Sequence, residues 1–332
     1  MNTASIKKGT MRNYTFDAWL VLFPLLVAII SAVILILNPE YTFLVLAGAY
    51  WIGSNTHSAM TYTKVIWNKS TRQKYYHFIT WVPLLIFAIC ILIGASTGSI
   101  IIISVYYYVQ IFHYVRQSYG LGTIYKKSSN DTTPNWLHQN TLYMFPLWGL
   151  LITMHDGLSF IGDTVYSFNI GKHALLLIGM YTAIISFLWL IHQAKNYLHK
   201  TFSIWYFLYI ISHYIVFYIG LIHIKDDTIG WVCISLWHSI QYVLFVWNHF
   251  QYISKEDSEG EIQFLKFVSQ NIYLLSLFGF ITAGLFVYAL DIMFNDKYIW
   301  AVPVFFAIAM MFNFNHYILD AIIWRRPKKT AK

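Results

Sequence analysis

The sequence predicts an all-α polytopic membrane protein, a bundle of about ten transmembrane helices in a single domain, residues 1–332. Composition is the first indication, because only 11% of the residues are charged and 58% are hydrophobic, whereas soluble domains have about 25% charged residues. The second is the length of the apolar runs. Segment 18–37 carries no charged residue, and a run of this length crosses a bilayer core of roughly 30 Å.

Apolar windows between charged or turn-forming breaks mark the individual spans. The predicted spans are 17–37, 41–63, 77–95, 99–119, 141–161, 173–193, 203–223, 229–250, 267–290 and 298–322. Polar segments such as 68–74, 126–135 and 254–261 separate them. None of these linkers is long enough to divide the chain into separate domains, and the spans share no repeat.

The distribution of Lys and Arg is the third indication, and it predicts orientation. With the N-terminus inside, 19 Lys and Arg residues flank the inner ends of the spans and three flank the outer ends. This asymmetry is typical of cytoplasmic loops, so both termini are expected in the cytoplasm and the protein in the plasma membrane, the inner membrane of a bacterial cell. The net charge of +8 is thereby explained as a topology signal, and no nucleic-acid partner is expected.

Histidines on four even-numbered spans are the candidate metal ligands. They are His57, His113, His238 and His316. Even-numbered spans run from outside to inside, and at about 1.5 Å per residue three of these histidines lie within about 15 Å of the inner boundary, with His238 deeper. Ionisable groups inside a bilayer face the protein interior and are functional candidates. The alternative for each one is a histidine that only hydrogen-bonds neighbouring helices.

Polar neighbours one helical turn away extend the candidate site. They are Asp320 after His316, Gln241 and Tyr242 after His238, and Arg116 and Gln117 after His113. Residues three or four apart lie side by side on a helix. We therefore expect Asp320 to be a fifth ligand or to orient a ligand, the glutamines and Tyr242 to orient ligands or substrate, and Arg116 to balance the charge.

Imidazoles and a carboxylate together suit iron, zinc or copper. Iron is preferred because a site of this type with an open position activates oxygen, and because the aromatic stretch 105–115, VYYYVQIFHYV, suits a long apolar or polyene substrate drawn from the lipid bilayer. An electron donor would then be a further partner. Haem held by His57 and His113 stays open as another cofactor, and so does a catalytic zinc ion.

Short motifs around these residues resemble a known family. The intramembrane histidines, with WH (237–238) in the eighth span and NHY (315–317) in the tenth, resemble the Brp/Blh family of membrane β-carotene dioxygenases. The stretches HYVRQSYG (113–120), WHSIQY (237–242) and NHYILD (315–320) resemble a group of uncharacterised, histidine-rich bacterial membrane proteins. The resemblance implies a helical bundle whose histidines hold iron beside a carotenoid tunnel. It predicts a metal-dependent oxygenase acting on a carotenoid or other lipid.

Two other functions remain open from the sequence. The same polar cluster would suit a carrier of a metal or small molecule. The pair Trp237–His238 is also similar to the catalytic segment of membrane-bound O-acyltransferases, which would make His238 a catalytic residue. The sequence has no GxxxxGK[ST] or HExxH segment, so it offers no basis for nucleotide hydrolysis or zincin proteolysis.

Overall fold

A computed structural model describes residues 9–48, 54–66, 69–253 and 263–324, and most of these residues are helical. The predicted all-α fold is confirmed. Much of the positive charge used to predict orientation, at residues 7, 8, 255 and 325–332, lies outside the described residues. The cytoplasmic location of both termini therefore stays a prediction.

Thirteen α-helices form the described part of the chain. They are α1 (Tyr14–Leu37), α2 (Thr42–Gly48), α3 (Thr56–Ile66), α4 (Lys69–Lys74), α5 (Tyr76–Thr97), α6 (Ser99–Ser129), α7 (Asn135–Asp156), α8 (Lys172–Leu198), α9 (Ile204–Tyr218), α10 (Asp227–Ile253), α11 (Gln263–Ser269), α12 (Ile272–Phe294) and α13 (Val304–Ile323). A 3₁₀ turn (Pro39–Tyr41) precedes α2, and a π turn (Ile219–His223) continues α9. Two small antiparallel hairpins, β1 (Ser159–Phe160) with β2 (Asp163–Thr164) and β3 (Tyr298–Ile299) with β4 (Val302–Pro303), connect helices.

Seven of the described helices are long and apolar enough to cross a membrane: α1, α5, α8, α9 with its π turn, α10, α12 and α13. This number indicates a multi-pass membrane protein. The described residues of predicted span 41–63 lie mainly on the short helices α2 and α3. Predicted spans 99–119 and 141–161 fall on α6 and α7, which contain more polar residues. The count of ten spans stays a prediction.

The chain divides into two compact units. The first unit consists of Met1–Ala49 and Tyr107–Gln241, and in it α7 packs against α8 and α9, and α1 packs against α9. Its interior is filled by large side chains, of which Tyr206, Phe217 and Trp237 are completely buried. The expectation that residues 1–332 behave as one domain stays a prediction.

The second unit consists of Tyr50–Tyr106 and Tyr242–Lys332, and in it α13 packs against α5, α3 and α12. Helix α3 lies against α12 at Gly279, where an added Cβ would be 2.5 Å from Cε of Met60 and 2.9 Å from Cγ2 of Thr56. A larger residue at position 279 would therefore push these two helices apart. Close packing of this kind between small residues is common in membrane helices, and it positions α3 for the site described next.

Candidate metal centre

The second unit brings together His57 from the first turn of α3 and the pair His316 and Asp320 from α13. His316 and Asp320 are four residues apart, so they occupy the same face of α13 on successive turns. All three side chains are buried. Two helices that are distant in sequence thus present two imidazoles and one carboxylate to the same interior position.

The carboxylate of Asp320 lies between the two imidazoles. Its Oδ2 atom is 3.7 Å from Nε2 of His57 and 3.9 Å from Nε2 of His316. The two imidazole rings have their centroids 4.6 Å apart and stand nearly perpendicular, at 84°. Each of the three residues offers a ligand atom, and these atoms lie within 4.8 Å of one another. This buried group could hold a metal ion.

The other oxygen of Asp320 is held by hydroxyl groups. Its Oδ1 atom accepts hydrogen bonds from Oγ1 of Thr61 at 2.9 Å and from the Tyr242 hydroxyl at 2.6 Å. The indole N–H of Trp324 in turn donates to the Tyr242 oxygen at 3.3 Å. Groups that hold a ligand from behind set its orientation and its basicity. These contacts leave Oδ2 directed at the histidines.

Lys64, just beyond the predicted span 41–63, is a cation near this carboxylate. Its Nζ atom lies 3.0 Å from Nε2 of His249 and 3.3 Å from the ring centroid of Trp324. Burial lowers the pKa of Lys64 to about 7, and the negative charge of Asp320 opposes that decrease. Lys64 is thus a basic residue of this unit that is influenced by Asp320, and the charge balance that the sequence assigned to Arg116 stays a prediction.

The first unit contains the other two predicted ligands. His113 on α6 and His238 on α10 are both buried, and their ring centroids lie 4.9 Å apart at 71°. The ring of Tyr114 approaches that of His238, with centroids 4.3 Å apart. His113, like the three residues of the second unit, is buried and offers a ring nitrogen that a metal ion could use. A single ion shared by all four histidines stays a prediction.

The predicted glutamines differ in their surroundings. Gln117 donates its side-chain N–H to the backbone oxygen of His238 at 3.1 Å, so it holds the α10 backbone rather than the imidazole. Gln241 is completely buried, and within the described part of the chain neither its amide nitrogen nor its amide oxygen has a hydrogen-bond partner. Their predicted function of orienting ligands or substrate stays a prediction.

Two other buried histidines of the first unit have ordinary structural contacts. His138 lies between the Tyr206 hydroxyl at 2.9 Å and Oγ1 of Thr123 at 3.2 Å. His213 contacts the backbone oxygen of Leu142 at 3.0 Å. These are the contacts expected of histidines that hydrogen-bond neighbouring helices, in contrast to His57 and His316, which face a carboxylate.

Comparison with protein-family models, with curated proteins and with solved structures finds no match. The resemblance to the Brp/Blh family therefore remains an expectation based on short motifs. Function has to be argued from the chemistry of the site itself.

Proposed function

We propose that the chain is a membrane-embedded, metal-dependent oxygenase in which His57, His316 and Asp320 hold a non-haem iron ion. The observation that carries the proposal is the convergence of two buried imidazoles on one buried carboxylate oxygen, at 3.7 and 3.9 Å. Two histidines and one carboxylate with open positions are the donor set of non-haem iron oxygenases. Zinc and copper accept the same donors, so the choice of iron is itself part of the proposal.

A buried carboxylate supports a bound cation on energetic grounds. Removing an anion from water costs several kcal/mol unless a cation or strong hydrogen bonds compensate it, and Asp320 lies in a helix long and apolar enough to span a membrane. Thr61 and Tyr242 compensate one oxygen with two hydrogen bonds. A metal ion at Oδ2 would compensate the other and would account for the two imidazoles that face it. His113 and His238 enter the proposal as further ligands.

Metal analysis of the purified full-length protein tests the centre. We expect a stoichiometric amount of iron after loading with Fe(II), and loss of that metal in His57→Ala and in His316→Ala. His213→Ala is the matched control, because it removes a buried histidine that hydrogen-bonds the backbone of Leu142. Absence of bound iron, zinc and copper from the loaded wild type would overturn the proposal, as would full metal content in both site variants.

X-ray absorption spectroscopy of the loaded protein tests the further ligands. A spectrum that shows two imidazole ligands would restrict the centre to His57 and His316. In that case the spectra of His113→Ala and His238→Ala should equal that of the wild type. A larger imidazole count that decreases in these variants would support the inclusion of His113 and His238.

The proposed substrate is a lipophilic molecule with a C=C or C–H bond, taken from the bilayer. Cleavage of a C=C bond by dioxygen gives two carbonyl groups and needs no other electrons. Hydroxylation of a C–H bond needs two more electrons and two protons, and so requires an electron donor. Oxygen uptake by proteoliposomes containing a carotenoid, with and without a reductant, separates these reactions. Uptake equal in wild type and His316→Ala would contradict the assignment.

The acyltransferase alternative makes a different prediction about one residue. It requires that His238→Ala alone abolishes acyl transfer in a chain that never binds metal. The carrier alternative requires that metal crosses the proteoliposome membrane without any oxidation of lipid. Both measurements use the same purified protein, so the three functions can be compared directly.

A further inference from the structure

Helices α3, α12 and α13 of the second unit enclose a groove of about 330 Å³. Its walls are mainly apolar and include four phenylalanines, Phe278, Phe286, Phe305 and Phe312, with Ala283 and Ala309 as the small residues that leave the space. None of the described residues that line it is charged. The groove thus offers a ligand an apolar and electrically neutral environment.

The groove is separate from the candidate metal centre. Its lining residues include Asn55, directly before α3, and Ala59 and Tyr62 on α3, whereas His57 and Thr61 belong to the centre. Successive residues of an α-helix are rotated by about 100°, so these two sets occupy opposite faces of α3. A ligand in the groove would contact this helix without contacting the histidine.

The mouth of the groove faces the medium around α12. Phe286 lines the groove and is 42% exposed, and its neighbour Leu285 is 63% exposed. Helix α12 is long and apolar enough to span a membrane, so the medium against these apolar side chains is lipid. An occupant would therefore enter from the bilayer.

The size of the groove limits the occupant to a single hydrocarbon chain. A water-sized group takes about 30 Å³ of liquid volume, so the groove accommodates on the order of ten groups the size of a methylene. Ligand pockets generally have volumes of about 300–1,000 Å³, and this one is at the lower end. A lipid with two acyl chains would exceed it, and the uncharged lining gives a phosphate or carboxylate no cation to pair with.

One polar atom in the groove indicates which functional group the bound hydrocarbon chain has. The side-chain nitrogen of Asn55 is buried and has no hydrogen-bond partner among the described residues. Buried donors are nearly always paired in folded proteins. A neutral oxygen on the ligand would supply the acceptor.

We propose that this groove binds a neutral single-chain lipid with one oxygen function, a long-chain alcohol or aldehyde. The chain packs against Phe286 and Phe312, and its oxygen accepts the hydrogen bond from Asn55. The groove is thus a second ligand site, beyond the proposed metal centre.

Photolabelling of the purified full chain in nanodiscs tests the groove, with a long-chain alcohol carrying a mid-chain diazirine as the probe. We expect the label on peptides containing Phe286 or Phe312, and a roughly tenfold decrease in Ala309→Phe because the new ring fills the space. Ala88→Phe is the matched control, since residue 88 is exposed on α5, and it should label like the wild type. Ala283→Phe repeats the test if Ala309→Phe does not fold.

Competition identifies the chemistry of the ligand. Unlabelled dodecanol and dodecanal should displace the probe, and dodecanoate and phosphatidylglycerol should not. Asn55→Leu should weaken competition by dodecanol about fivefold, the effect of one hydrogen bond, and leave competition by dodecane unchanged.

Three results would overturn the proposal: equal labelling of wild type and both groove-filling variants, displacement by dodecanoate as efficient as by dodecanol, or loss of labelling in His316→Ala. The last variant separates this proposal from the metal centre. Retained labelling with lost metal in this variant supports two independent sites. If the wild type binds no metal, the metal proposal fails, and labelling that depends on Ala309 still supports the groove.

Discussion

Oδ2 of Asp320 lies 3.9 Å from Nε2 of His316, one helical turn away on α13, and 3.7 Å from Nε2 of His57 on α3. The carboxylate therefore links a local pair to a residue from a distant part of the chain. Because its Oδ1 is held by Thr61 and Tyr242, the group has a defined orientation. The effects expected of Asp320→Asn and Tyr242→Phe depend on that orientation.

Replacing Asp320 with Asn should decrease metal affinity by at least about 100-fold. The exchange keeps the shape of the side chain and an oxygen that can accept from Thr61 and Tyr242, but it removes the negative charge that a metal ion needs. Mutation of a residue that only supports a metal ligand commonly decreases metal affinity 10–100-fold, so removing the charge of a ligand should cost at least as much. Metal titration monitored by calorimetry measures the change. Asp291→Asn, at an exposed position of α12, is the control, and an equal loss in that variant would contradict a specific role of Asp320.

Removing the hydroxyl of Tyr242 should weaken metal binding about 10–100-fold. Tyr242→Phe keeps the ring that packs on His57, with centroids 3.8 Å apart. It deletes the 2.6 Å hydrogen bond to Asp320 together with the contacts of the hydroxyl to Thr61 and Trp324. The unfolding free energy should also decrease by about 1–3 kcal/mol. Tyr252→Phe, at an exposed position of α10, should change neither quantity. Unaltered metal affinity in Tyr242→Phe would mean that this hydrogen bond does not position the carboxylate.

Stripping the metal should make the wild-type protein less stable. A ligand that binds only the folded state stabilises it by about 2.7 kcal/mol at 100 times its dissociation constant, and its removal returns Asp320 to an interior without that compensating charge. We expect a chelator to lower the midpoint of thermal unfolding in detergent. The variant His57→Ala should unfold at the same temperature with and without chelator, and a chelator effect that persists there would place the stabilising metal elsewhere.

Stability should increase with pH between about 7 and 10.5 because of Lys64. Burial lowers its pKa in the folded protein to about 7 from the ordinary value of 10.5. Between these values the unfolded chain binds a proton that the folded chain does not, so raising the pH favours folding, and the burial penalty is fully present below pH 7. Lys64→Met should flatten this increase, measured by thermal unfolding across the pH range. Lys69→Met, at an exposed position of α4, should retain it.

The predicted orientation can be checked with single cysteines. A membrane-impermeant maleimide added to intact cells should label Lys225→Cys, because Lys225 is predicted outside and its side chain is 75% exposed. It should not label Lys200→Cys, which is exposed but predicted on the cytoplasmic side. The native residues Cys90 and Cys233 are buried and should give little background. The reverse labelling pattern would mean that the chain has the opposite topology.

Local sequence pattern predicted the helices well because it depends on neighbouring residues. The spacing of His316 and Asp320 by four residues predicted that they share a face of one helix, and they do. Trp324, which supports Tyr242, was missed, although it follows Asp320 by another four residues on the same face. Its position in the sequence was a usable signal, since an indole N–H needs a partner when buried.

Contacts between distant segments were outside the reach of such patterns. Thr61 and Asp320 are 259 residues apart, and their hydrogen bond exists because α3 packs against α13. Arg116 was predicted from the sequence to balance the charge, which stays a prediction, and the sequence analysis did not name Lys64, whose pKa is influenced by Asp320 in the second unit. Which cation lies near a carboxylate depends on helix packing, which spacing along one helix does not encode.

The amino-acid sequence by itself determined that the chain is helical, that much of it is apolar enough to cross a bilayer, and that imidazoles lie within its predicted spans. These properties follow from composition and from the 3.6-residue period of a single helix. Tertiary structure alone decided that His57 meets Asp320 and that one carboxylate oxygen is left facing two imidazoles. The reason is that side-chain size sets which helix faces can approach each other. At Gly279, for example, the missing Cβ lets α12 lie directly against α3.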